Sequence, residues 1–125
     1  MAKSRFPGFA GCMRMMRRHD PQVQEDGFYW LLSRAGDFVE LLAAEYRHEP
    51  DHGLRCWLLE LLGEARDPQA LPVFLEALRS EDESLRDWAV RGLRALGTPD
   101  ARQALFDAGH KTAAKISSDG VKPRS

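Results

Sequence analysis

The chain has 125 residues, enough for one domain. Apolar residues make up 43% and charged residues of both signs 30%, which permits a real core and excludes a chain too polar to fold. No run approaches the roughly 18 apolar residues of a membrane span, and two distant cysteines, Cys12 and Cys56, form neither a disulfide framework nor a metal knuckle. The expectation is a reduced cytoplasmic protein with no cofactor.

The net charge of −1 is unevenly spread: residues 1–20 carry +4 and residues 109–125 carry +3, leaving −8 on the middle of the chain. An acidic body with basic ends follows.

Residues 1–19 read as a basic arm or as a short capping helix built on Met13, Met15 and Met16; the pattern leaves both open. Phe9-Ala10-Gly11-Cys12 has the look of a lipoprotein cleavage box, but the stretch before it falls short of the ~7–15 apolar residues a signal sequence requires. Arg14, Arg17 and Arg18 suit an anionic surface, yet with few aromatics between them a solvated arm is the simpler reading.

Asp20-Pro21 is a strong helix start, a capping carboxylate followed by proline at the first helical position. Phe28 to Leu32 and Ala35 follow, Gly36-Asp37 turns the chain, and Phe38, Leu41, Leu42 and Tyr46 continue. Trp30-Leu31-Leu32 against Trp57-Leu58-Leu59 aligns this unit with the next at an offset of 27, as a degenerate copy with a shortened turn. The next two units match more fully. Leu54-Arg55, Trp57, Leu62, Pro68 and Ala70 recur 31 residues later as Leu85-Arg86, Trp88, Leu93, Pro99 and Ala101. In each unit apolar residues at steps of three and four form one helical stripe, Asp67-Pro68 or Thr98-Pro99 starts a second helix, and a second stripe follows. In the middle unit that second stripe reads Leu71, Phe74, Leu75 and Leu78. The fold expected is all-α: an α-solenoid of three antiparallel helix pairs at about 20–48, 51–79 and 83–110, within a repeat domain of residues 20–110. Residues 111–125, polar and basic, read as a disordered tail.

The residues that carry the repeat, Leu54-Arg55 and Leu85-Arg86 with the turns Gly63…Asp67-Pro68-Gln69-Ala70 and Gly97-Thr98-Pro99-Asp100-Ala101, make the chain resemble the HEAT repeat family, in its short bilin-lyase HEAT-like variety. The offset between Gly63 and Gly97 predicts different turns in the two copies. The resemblance implies a binding surface rather than an enzyme. It also brings a precedent for catalysis, a DNA-repair glycosylase built from such repeats. That activity needs a basic groove, and the acidic body argues against it and against nucleic acid generally.

His48-Glu49-Pro50-Asp51-His52 matches the H-E-x-x-H zinc-protease string, which works only where both histidines share a helix face. Pro50 breaks that geometry, so a surface turn is expected. Arg55 and Arg86 are anion ligands or, more simply, rungs bonded to an acidic or carbonyl group of the neighbouring repeat; Trp30, Trp57 and Trp88 read as core.

In HEAT-like stacks the second helix of each pair lines the concave surface. Opposite the apolar stripes there lie Glu40 and Arg47, then Gln69, Glu76 and Arg79, then Gln103, Asp107 and His110. Glu40, Glu76 and Asp107 form an expected acidic row for a protein partner with a basic patch. The readings kept open are an adaptor or scaffold, an immunity-type inhibitor of a basic toxin, and a subunit of a bilin-lyase-like enzyme. Open stack ends also allow self-association.

Overall fold

The structure, a computed structural model, describes residues 5–118, with side chains to Gly109. Seven helices follow in order, with no strand among the described residues: α1 (Gly8–Met16), α2 (Pro21–Leu32), α3 (Val39–His48), α4 (His52–Ala65), α5 (Leu71–Leu78), α6 (Glu83–Leu96) and α7 (Pro99–Ser118). Short 3-10 turns, Ala35–Asp37 and Pro68–Ala70, lead into α3 and α5. The all-α stack expected from the sequence is what is found.

The 31-residue period runs through all three units, which corrects the offset of 27 assigned to the first. Asp20, Asp51 and Asp82 each cap a helix, their carboxylates accepting from Val23, Leu54 and Leu85 backbone N–H groups. Leu31, Leu62 and Leu93 are fully buried one above another in sequence register, and Val39, Ala70 and Ala101 repeat the pattern in the second helices. The match of Trp30 to Trp57 was a coincidence of composition. Capping carboxylates and buried leucines are what stacking selects.

Packing is most extensive between α1 and α2, α3 and α4, α4 and α6, and α5 and α6, so α3 and α5, the second helices of the first two units, pack on the first helix of the following unit. Trp57 and Trp88 occupy the same place in consecutive layers, both half-buried against the core. Where α4 meets α6, Gly63 faces Gly92 with room for a methyl group at Gly63 in ordinary contact (3.5 Å), whereas a methyl group added at Gly92 would stand 2.4 Å from the Phe74 ring of α5.

The two inter-helix turns share one device and differ in another. Arg66 and Gly97 both take the left-handed conformation that ends a helix. Beyond it, Asp67 caps a 3-10 turn through Gln69, whereas Thr98 leads straight into α7 and accepts from the Ala101 N–H.

Both ends depart from a plain arm and tail. Residues 8–16 form the capping helix, with Cys12, Met13 and Met16 buried against α2, and Arg17 bridges to Glu45 (2.9 Å) and Glu49 (2.7 Å). Helix α7 runs past His110 to Ser118, into the stretch expected to be a disordered tail, because Lys111 to Lys115 are mostly good helix formers with no proline. Residues 119–125 of that expected tail, and residues 1–4 of the arm, lie outside the described residues.

Candidate protein-interaction groove

Helices α5 and α7 belong to consecutive units but barely touch, while α6 packs against both. The gap between them is a groove of about 770 Å³. Leu75 and Leu78 of α5, Val90 of α6 and Leu105 of α7 give it an apolar floor, all of them only half-buried. Its charged lining is Arg79, Arg86 and Arg94 against Asp87 and Asp107.

These charges are not equally available. Arg86 donates to the Ser80 carbonyl oxygen at 2.8 Å, and Asp107 accepts from Gln103 at 2.9 Å. The side chains of Arg79 and Arg94 are exposed and make no hydrogen bond or ion pair among the described residues. The basic character of this surface is local, and the chain's acidic balance hid it.

Seven of the eight residues read from the sequence fall into three places. Glu40 and Gln69 line a shallow depression of about 310 Å³ with Asp37 and Asp67. Arg47 pairs with Glu76 across α3 and α5 at 3.0 Å, with a second contact from its Nε at 3.3 Å. Arg79 and Asp107 line the groove, with Gln103 behind Asp107. His110 lies on α7, its side chain outside the described residues.

The groove's apolar floor was missed, and the reason lies in α5. Its sequence, Leu-Pro-Val-Phe-Leu-Glu-Ala-Leu, is apolar on nearly every side, so periodicity cannot choose a face. Val73 is buried with Phe74 and Ala77, while Leu75 and Leu78, read as part of the core stripe, reach the groove.

The other candidates resolve into structural roles. His48 ends α3 and its Nδ1 meets the Ala44 carbonyl oxygen; His52 opens α4 and pairs with Asp82 at 2.9 Å. Glu49 between them binds Arg17, so the H-E-x-x-H string is split by a loop. Arg86 bonds to a carbonyl, but to that of Ser80 in the loop before its own helix rather than to a neighbouring repeat, and Arg55 instead lies over the Tyr46 ring of α3 at 4.3 Å. Burial pushes the Cys12 and Cys56 thiols up, which disfavours the reactive thiolate.

Consecutive helix pairs with a shared core and a groove lined by second helices define an α-solenoid. The chain belongs to the HEAT repeat family: the model for HEAT repeats matches residues 39–118, the span from α3 through α7. Helix α2 stands outside the match yet keeps the period. No curated protein and no solved structure matches the chain significantly.

Proposed function

We propose that this protein is a non-enzymatic interaction module, an adaptor or scaffold, whose protein partner docks in the groove between α5 and α7. The observation that carries this reading is an apolar floor left half-exposed between helices, rimmed by the exposed Arg79 and Arg94. Buried apolar anchors surrounded by a polar rim are the usual anatomy of a protein interface. Membership in a family whose stacks commonly present binding surfaces supports it.

The finer reading, a basic partner held by Glu40, Glu76 and Asp107, has less behind it. Glu76 is already paired with Arg47, and Asp107 shares its groove with three arginines. Pull-down with the native chain and with the single variants Glu76→Arg, Asp107→Arg and Leu78→Glu separates the two. Docking in the groove predicts that Leu78→Glu loses the captured protein while Glu76→Arg alone keeps it. Loss on Glu76→Arg alone restores the acidic row, and capture indifferent to all three removes both readings.

A further inference from the structure

We infer that the groove takes an acidic amphipathic α-helix of the partner, its apolar side chains on the floor and its carboxylates on Arg79 and Arg94. The inference rests on the groove reading and names the chemistry of what fills it.

The helical form follows from the shape and lining of the groove, among the ways proteins hold a peptide. Adding a strand needs a sheet edge, and there is no strand among the described residues. A polyproline segment needs an aromatic-lined trough, and none of the described residues lining this groove is aromatic. An arginine cluster that reads a lone acidic or phosphorylated residue needs no apolar floor, and this groove has one. A helix lying between two helices uses that floor, its side chains at steps of three and four meeting Leu75, Leu78, Val90 and Leu105.

The charge follows from the sum of the described lining, Arg79, Arg86 and Arg94 against Asp87 and Asp107, one positive charge in excess. Arg86 is tied to the Ser80 carbonyl oxygen and Asp107 to Gln103, so the exposed side chains of Arg79 and Arg94, with Asp87 the one unbonded carboxylate of that lining, are the cations open to a carboxylate. Guanidinium groups at the rim of an apolar cleft bind carboxylates in a forked, oriented way.

Other occupants fit less well. The chain's own residues 119–125 carry Lys122 and Arg124 against Asp119 and would meet like charge. Nucleic acid would find arginines, but also Asp87 and Asp107 in the same lining and, among the described lining residues, no ring for a base to stack on. A second copy offers α2, whose outer face bears Glu25 and Asp26 but only Tyr29 as an exposed apolar anchor.

The test is a display library of helical peptides with leucine fixed at i, i+3 and i+7 and Glu, Gln or Lys free elsewhere, selected on the full chain. The expected winners are rich in Glu, and by fluorescence anisotropy they lose about tenfold or more in affinity on Arg79→Glu/Arg94→Glu, as charge complementarity requires. Circular dichroism checks that this surface variant is folded. Selection of Lys-rich peptides overturns the acidic assignment and leaves the groove reading standing. Winners whose binding survives Ala104→Trp, which fills the groove, or no winners at all, overturn the groove reading with it. Duplex DNA retained in an arginine-dependent way, or self-association in the ultracentrifuge abolished by Arg79→Glu/Arg94→Glu, gives the groove to another occupant and overturns the inference.

Discussion

Arg66 is the one non-glycine residue with positive φ among those described, at +53°, and it sits where the next repeat has Gly97 at +63°. A side chain in the left-handed region costs about 1–2 kcal/mol that glycine does not. Arg66→Gly should therefore raise stability by about 1 kcal/mol in urea melts, and Gly97→Ala should lower it by a similar amount. Gly92 answers to packing instead. The Phe74 ring fills the space where its side chain would be, and Phe74 is fully buried. Gly92→Ala should destabilise by about 1–3 kcal/mol despite the better helix propensity of alanine, because the ring has nowhere to retreat. Individual positions such as the Asp67-Pro68 turn, Trp57 and Trp88 were readable from local chemistry and repetition. Gly92 was not, because its reason is a ring contributed by another helix.

At the scale of elements, each first helix begins at a capping aspartate, and the last two are tied together. The His52 ring hydrogen-bonds Asp82 at 2.9 Å, while the Leu85 N–H donates to the same carboxylate. Led by the His52 contact, these hold the Asp82 carboxyl below the usual carboxylate range. A lowered folded value means the contribution to stability is in place above the ordinary carboxylate pKa of about 3.9 and fades as pH falls through the lowered value. The gap between the native chain and Asp82→Asn in urea melts should thus narrow steadily as pH drops below about 4. A gap independent of pH would mean the carboxylate's charge is irrelevant to the cap. Helix starts were legible because a cap and a proline announce them, as at Asp20-Pro21. The face of α5 was not, since apolar residues surround it. Nor was the length of α7, whose helix continues beyond the repeat pattern.

Over the whole molecule the two ends are unlike. Helix α1 closes the first unit, its Met13 and Met16 buried and Arg17 reaching across to Glu45 and Glu49. Removing a buried methionine side chain costs about 2–5 kcal/mol, far more than the exposed ion pair to Glu45. Met16→Ala should therefore loosen α1 and α2 first, and hydrogen exchange should speed there while α4 and α6 stay protected. Uniform acceleration would show instead that the cap and the stack open as one unit. The repeated period made the solenoid legible, because stacking requires the same residues in every layer. The groove stayed hidden, because it belongs to no single helix and appears only where two of them part. One wall of it is set by Gly92 and Phe74. The Phe74 ring lies in the space a side chain at Gly92 would need, so α5 sits as close to α6 as that bare position allows. Neither residue is among those that line the groove, and a change at either would shift that wall while leaving every lining side chain as it is.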